Sequence, residues 1–211
     1  MEERQISKAV IKRLPRYYRY LGEILDSGME RISSGELSSH MKVTASQIRQ
    51  DLNHFGGFGQ QGYGYNVKYL HDEIGKILGI NQSHNMIVVG GGNMGQALSN
   101  YTAFEKNGFK IIGIFDINPE LIGKKIRNIP VYPVSELENF IARENIEIAA
   151  LTIPTAAAEK TAEILVNCGI KAIWNFAHID LNVPKDVVVE NVHLFDSLLR
   201  LSYNLSSYEK E

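Results

Sequence analysis

An apolar run that stops in a glycine loop, with an acid about twenty residues further on, constrains this chain more than any other feature. Met86-Ile-Val-Val-Gly-Gly-Gly-Asn-Met-Gly95 places Gly90, Gly92 and Gly95 at GxGxxG spacing. Met86 to Val89 reads as a buried strand and Gln96 to Lys106 suits a helix. A second apolar run, Phe109 to Phe115, ends in Asp116. Strand, glycines, helix, second strand and terminal acid together make a dinucleotide-binding pattern in its required context. Gly90 permits the tight turn, Gly92 lets the backbone approach a pyrophosphate, and Gly95 lets helix and strand pack closely. Asn93 and Met94 complete the candidate phosphate loop, and the helix N-terminus offers unpaired N–H groups and its positive dipole end. Asp116 would accept from ribose hydroxyls and repel a 2′-phosphate, so the pattern favours NAD(H) over NADP(H). A Gly-rich turn without a ligand, or one that holds coenzyme A, would look alike at this level.

Beyond residue 80 apolar strands alternate with helices. Strand candidates are Met86–Val89, Lys110–Phe115, Val131–Tyr132, Ile146–Thr152, Ala172–Asn175 and Val187–Glu190, and helix candidates are Met94–Lys106, Val134–Glu144, Ala156–Cys168 and Leu194–Tyr208. Near-continuous apolar strands between helices argue for an α/β fold with a Rossmann-like, doubly wound parallel sheet. The expected division is residues 1–80, then 81–193, then a terminal helix over 194–211, with a linker at Gly79–Asn85. Leu194, Leu198, Leu201 and Leu205 fall on one helical stripe, widened by Phe195, Leu199 and Tyr208, and such a stripe needs a surface to cover. That surface is either its own domain or a second subunit.

Composition excludes several classes. Net charge is −2, so the whole molecule does not advertise a polyanion partner and a basic cluster must be local. The single cysteine, Cys168, allows no internal disulfide and reads as a small buried hydrophobe. No apolar run approaches twenty residues and the first residues lack a signal-peptide pattern, so no membrane span is expected and the cytoplasm is the expected location. No spacing of His, Cys, Asp and Glu suggests a metal site.

The local basic cluster is N-terminal. Arg4, Lys8, Lys12, Arg13, Arg16 and Arg19 are interleaved with Tyr17, Tyr18 and Tyr20, and Pro15 sits where a helix could begin. Ser33 to His40 reads as a short second helix. Thr44-Ala-Ser-Gln47 has the capping-box pattern and opens a helix over Ala45–Phe55. Ile48, Leu52 and Phe55 share one face, while Ser46, Gln47, Arg49, Gln50 and Asn53 lie largely away from it. A short helix, a turn and a capped helix with polar side chains near its start is a helix-turn-helix pattern. Gly56 to Tyr65, rich in glycine, aromatics and amides, reads as a two-stranded wing carrying Gln61 and Tyr63, and Asn66–Leu78 as a closing helix. The candidate DNA-contacting residues are Arg13, Arg16, Thr44, Ser46, Gln47, Arg49, Gln50, Gln61 and Tyr63.

Over nearly its whole length the chain resembles Rex, a family of bacterial redox-sensing transcriptional repressors. The residues that carry the resemblance are Arg13-Leu-Pro-Arg-Tyr-Tyr-Arg-Tyr20, Ser46-Gln-Ile-Arg-Gln-Asp-Leu52, Phe55–Gly59 with Gly62–Tyr65, the Gly90–Gly95 loop with Ala97-Leu98, Phe115-Asp116 and Asn175-Phe176-Ala177. The resemblance implies a homodimer with a winged-helix N-terminal domain, a Rossmann domain for NADH or NAD⁺, and a C-terminal helix swapped into the partner. It also implies an inverted-repeat operator, released when the NADH/NAD⁺ ratio rises. Gln50 and Gln61 stand where the family often has basic residues, and glutamine prefers adenine where arginine prefers guanine, which points to an A·T-richer operator. His193 stands where the family often has an aspartate that pairs across the dimer with an arginine matching Arg13. Here the acid that follows is Asp196, three residues on.

The nicotinamide is expected near Thr152-Ile-Pro154, Asn175-Phe-Ala177 and Tyr101. With Gly90, Gly92, Asn93, Met94, Gly95, Phe115 and Asp116, these form the candidate cofactor set. His178 and His193 lie near that pocket without an evident charged partner nearby in sequence, so no catalytic constellation is expected. The competing readings are an NAD-dependent dehydrogenase and a coenzyme A-binding module.

Overall fold

A computed structural model describes residues 7–53, 59–60 and 63–208. The chain divides into two compact units, Met1–Gln82 and Ser83–Glu211.

In the first unit, α1 (Lys8–Asp26) is capped by Ser7, whose hydroxyl accepts from Val10 N–H. Then follow β1 (Arg31–Ile32), α2 (Ser34–Met41), α3 (Ala45–Asn53), β2 (Gly59–Gln60), β3 (Gly64–Asn66) and α4 (Val67–Ile77). The strands form an antiparallel sheet in the order β1-β3-β2. Four helices with a small sheet that holds a hairpin after α3 make a winged helix. Its core joins Leu14, Tyr17 and Leu21 of α1 to Leu37 and Met41 of α2, Ile48 and Leu52 of α3, and Leu70 and Ile74 of α4.

Pro15 does not begin a helix. It lies inside α1 and is exposed. A proline there costs about 3 kcal/mol. The stripe Val10, Leu14, Tyr17, Leu21 and Ile24 is buried, and each such side chain contributes about 1.5–3 kcal/mol, so the helix runs through. The sequence reading also missed β1, which is only two residues long and borrows its register from Asn66 and Tyr65. A full capping box occurs at Ser33 and Glu36 of α2. At Thr44 only half the expected box forms. Its hydroxyl accepts from Gln47 N–H at 3.2 Å, but the Gln47 side chain turns to Asp51 instead. Of the expected helix end, Phe55 lies outside the described residues.

The second unit contains β4 (His84–Val89), α5 (Asn93–Asn100), α6 (Ala103–Lys106), β5 (Phe109–Asp116), β6 (Lys125–Ile126), β7 (Ile129–Pro133), α7 (Leu137–Glu144), β8 (Ile148–Leu151), α8 (Thr155–Asn167), β9 (Ala172–Asn175), β10 (Val188–Asn191) and α9 (Leu194–Tyr208). The sheet order is β10-β9-β8-β4-β5-β7-β6, parallel except for the β6–β7 hairpin. Counted along the chain, the six parallel strands follow the doubly wound order 3-2-1-4-5-6, with the reversal between β4 and β8.

Two expectations shift here. His84 and Asn85 belong to β4 rather than to a linker. The helix expected over Met94–Lys106 is broken at Tyr101 and Thr102 into α5 and α6. Ser99 Oγ donates to Gly95 O at 2.7 Å and Asn100 Nδ2 to Gln96 O at 2.9 Å. Both side chains compete for the carbonyls that the helix would use, and α5 ends there.

α7 and α8 cover one sheet face, where Phe115, Phe140, Leu151, Leu165 and Ile173 are buried together. On the other face α5 and α6 pack Leu98 and Phe104 over Met86 and Val88. An apolar groove of about 440 Å³ remains on the sheet, lined by residues that include Met86, Phe104, Phe109, Ile148, Trp174 and Val188. No residue of α9 is buried.

Candidate dinucleotide cleft and nucleic-acid interface

Two of the glycines that follow β4, Gly90 and Gly95, are sterically required. Gly90 sits at φ +103°, and a Cβ there would lie 2.6 Å from Thr152 O. A Cβ on Gly95 would lie 1.9 Å from Gly90 O, so α5 approaches the loop as no other residue permits. A Cβ on Gly92 would meet nothing within 4 Å, which leaves that side of the loop open for a phosphate. Gly92 is the N-cap of α5 and supplies no side chain, so the first N–H groups of α5 face that space without a side-chain cap.

Asp116 closes the loop from β5. One carboxylate oxygen accepts from Gly91 N–H and the other from Asn118 N–H at 2.7 Å. Beside it runs a cleft of about 270 Å³ at the strand-order reversal, the place where open α/β sheets bind ligands. Of the expected cofactor residues the cleft gathers Gly90, Gly92, Phe115, Asp116, Thr152 and Pro154. Sequence reasoning missed Ile117, Val134, Ala157 and Thr161 on its walls. Ile117 alone gave a signal, as an isoleucine just past the acid, and it is 85% exposed.

The remaining expected cofactor residues divide by role. Gly95 lies beneath the loop, and Asn93 and Met94 open α5. Thr152 Oγ1 donates to Val89 O and Gly90 O, which ties β8 to the loop. Phe115 is fully buried against Tyr132 and Phe140. Asn175 is also buried. Its amide donates to Ile179 O and Asn191 Oδ1 and accepts from Ala177 N–H, so it shapes the turn that carries Phe176 rather than presenting itself to a ligand. Tyr101, Phe104, Trp174 and Phe176 form a chain of edge contacts, with Tyr101 exposed at the end of α5.

His178 and His193 stack with ring centroids 5.9 Å apart. The carboxylate near His193 is Asp180, 3.9 Å from Nε2, a partner hidden in the sequence because β10 lies between them. The backbone N–H of Asp196 donates to His193 O. Cys168 caps the end of α8 half-buried, and burial pushes its thiol pKa up. Among the described residues no group of His, Cys, Asp and Glu could hold a metal, and no helix is long and apolar enough to cross a membrane.

In the first unit α3 exposes Ser46, Arg49 and Gln50, with Thr44 exposed just before it. Arg49 Nη1 donates to Ser34 Oγ at 3.0 Å, which steadies it across α2. Tyr63 is exposed near the start of β3 and its carbonyl accepts from Arg31. Arg16 and Arg19 lie over the Tyr20 ring. Arg13 and Gln47 are directed elsewhere, onto Asp51. Gln61 lies outside the described residues.

The comparisons with known proteins agree with this geometry. Residues 81–179 match the family model "CoA binding domain", and residues 5–53 match "Putative DNA-binding protein N-terminus". The redox-sensing transcriptional repressor Rex of Thermoanaerobacter pseudethanolicus is 60% identical over 97% of this chain and 92% of its own length. The protein of the same name from Clostridioides difficile is 58% identical over 95% of each. Among solved structures, RSP in complex with beta-NAD⁺ and operator DNA superposes with a TM-score of 0.91 at 60% identity, covering 97% of this chain and 94% of that one. RSP in complex with beta-NADH gives 0.90 at 57% identity, covering 97% and 96%.

Proposed function

The chain belongs to the Rex family of redox-sensing transcriptional repressors, and from that premise we propose how its own residues sense and respond. It represses transcription by binding duplex operator DNA, and NADH releases it. The observation that carries this reading is the presence, in one chain, of a sterically required dinucleotide loop and a winged helix with exposed polar side chains on α3. In the solved relatives NAD⁺ accompanies operator DNA in one complex and NADH is bound in another.

The loop at Gly90–Gly95 and the start of α5 hold the pyrophosphate, and Asp116 accepts from the adenosine ribose in the cleft beside Ile117, Val134 and Ala157. The bound coenzyme supplies one difference, a cationic ring when oxidised and a neutral one when reduced. Apolar walls around Tyr101, Thr152, Pro154 and Phe176 tolerate the neutral ring and oppose burial of an unpaired cation. A closed state of the protein is therefore favoured by the reduced form, and only by the difference in affinity between the two states.

The molecule works as a homodimer. All of α9 is exposed in the single chain, including Leu194, Phe195, Leu198, Leu199, Leu201 and Leu205, and the sheet keeps an apolar groove without a covering helix. Exposed apolar surfaces of that extent mark an interface. We assign α9 to a swapped position on the second subunit, which would put two recognition helices on an inverted repeat about 34–36 Å apart. We assign the protein to the bacterial cytoplasm, where operator and coenzyme pool meet. The domains we propose are residues 1–80 for DNA, 81–193 for the dinucleotide and 194–211 for dimerisation.

The coenzyme A reading has one observation in its favour, the family-model match over residues 81–179. Coenzyme A carries a phosphate on its adenosine ribose, which the Asp116 carboxylate would repel. A gel shift on an inverted-repeat duplex, run with NADH, NAD⁺, NADPH and coenzyme A, tests both readings. NADH alone is expected to release the duplex at low concentration. Equal release by NAD⁺ at matched occupancy would sink the redox reading, and release by coenzyme A alone would replace it.

Two further outcomes concern the reader head. Arg49→Ala should weaken operator binding by about 1–3 kcal/mol while NADH binding is unchanged. Unchanged operator affinity at moderate salt would remove α3 from the interface. A selection from random duplexes should recover half-sites richer in A·T than those of relatives with basic residues at the positions of Gln50 and Gln61. Recovery of guanine-centred half-sites alone would show that these glutamines do not read bases.

A further inference from the structure

Asp51 is fully buried, yet it lies in α3, the helix that carries the DNA-facing side chains. Its carboxylate is completely satisfied. Arg13 donates Nε to Oδ2 and Nη2 to Oδ1, both at 2.7 Å. The Tyr17 hydroxyl donates to Oδ2 at 2.9 Å and the Gln47 amide to Oδ1 at 2.8 Å. Burial alone would raise the carboxyl pKa, but these hydrogen bonds outweigh it and hold the group below the ordinary carboxylate value.

We propose that Arg13, Tyr17 and Asp51 position the recognition helix and fix the presentation of Gln47, so that Arg13 supports base discrimination without itself touching DNA. The inference rests on the reading of α3 as the recognition helix. Apolar contact is not directional. Ile48 and Leu52 hold α3 against the core but tolerate small rolls and slides about its axis. A bidentate guanidinium–carboxylate pair is directional in both. Arg13 and Tyr17 stand one turn apart on α1, so Asp51 is gripped from two successive turns of that helix. Base edges are read by paired donors and acceptors whose alignment such rolls would spoil.

Gln47 follows from the same geometry. One amide N–H is committed to Asp51, so the carboxamide cannot flip end for end. Its orientation is set by the buried acid before any DNA arrives. Arg13 commits its side-on fork, Nε and one Nη2 hydrogen, to that acid, so the orientation of its guanidinium is set from inside the domain.

The test uses the full chain, a duplex recovered from a random pool by the unmodified protein, and a scrambled duplex of the same composition, titrated across a salt series. Two variants are needed. Arg13→Lys keeps the charge and loses the bidentate geometry. The double variant Arg13→Met with Asp51→Leu replaces the pair by apolar side chains and leaves net charge unchanged, and such replacements are often neutral for folding. Thermal midpoints verify the fold of each.

For both variants, affinity for the recovered duplex is expected to fall about tenfold or more, as for a misaligned base contact. Affinity for the scrambled duplex and the slope of log affinity against log salt should stay the same. A slope shallower by about 1.8 in the double variant, about 0.9 for the Arg13 of each subunit, would make Arg13 a phosphate contact and overturn the proposal. An unchanged ratio of recovered to scrambled affinity in the folded variants would overturn it too, since the network would then serve stability alone. If the unmodified protein itself yields no preferred duplex, the reading of α3 falls first, and that result is distinct from either of the others.

Discussion

Leu198→Asp with Leu201→Asp, both in α9, should turn the protein into a monomer and weaken operator binding about a hundredfold or more. In the single chain these two leucines are 59% and 63% exposed, so the change removes little packing within the subunit. Any loss must come from a surface that a second copy covers. In the swapped position proposed for α9, each aspartate would bury a charge among residues such as Met86, Ile148 and Trp174, without an opposite charge to pair it. The effect on DNA follows from geometry rather than contact. A dimer binds its second half-site as an intramolecular event, and linkage of that kind is worth about 10²–10⁴ in affinity. Molecular mass in solution and operator affinity are the measurements. A dimeric mass with unchanged affinity would show that α9 is not the dimer helix. Trp174 is the chain's single tryptophan and lines the groove, so its emission gives an independent reading. It should shift to the red when the groove is uncovered.

Asp116→Ala should cost NADH affinity and leave operator binding in place but deaf to NADH. Two charge-assisted hydrogen bonds to the ribose are expected to be lost, at about 1.5–3 kcal/mol each, so affinity should fall by about a hundredfold to about ten-thousandfold. The carboxylate also holds Gly91 N–H and Asn118 N–H, so its loss should loosen the loop proposed to hold the phosphates. Operator affinity depends on α3 in the other unit and is expected to stay within about twofold of the original. Removal of the negative charge should narrow the preference for NADH over NADPH, because a 2′-phosphate no longer meets repulsion. Isothermal titration with both coenzymes, beside a gel shift with and without NADH, checks each part. Undiminished NADH affinity would remove Asp116 from the site. Loss of operator binding would mean that the substitution damaged the fold.

Much of this was legible in the chain. The steric need at Gly90 and Gly95 is a backbone matter, so the letters alone announced it, and the structure places a Thr152 carbonyl and a Gly90 carbonyl where a side chain would otherwise be. The α9 boundaries followed from leucines at helical spacing. Other features depend on distant partners. β1 exists because Asn66 and Tyr65 pair with it, and two residues carry no periodicity of their own. The Met94–Lys106 helix broke because Ser99 and Asn100 turned their side chains to nearby carbonyls, a choice that composition does not settle.

The same division runs through the site residues. Arg13 and Gln47 have the right chemistry for DNA, and sequence placed them there for that reason. Only the packed unit revealed a buried carboxylate 38 residues from Arg13 that takes both. Asn175 looked like a cofactor ligand and is held by Ile179, Asn191 and Ala177. Asp180 emerged as a neighbour of His193 only when β10 brought the ends of its flanking loops together.

By itself the sequence determined the two kinds of domain, the dinucleotide loop with its acid, and an apolar terminal helix, because these rest on local periodicity and on the one residue that lacks a Cβ. Tertiary structure decided which polar side chains face outward and which are bound inside. Hydrogen-bond partners are chosen by proximity in space, and no spacing along the chain encodes that proximity.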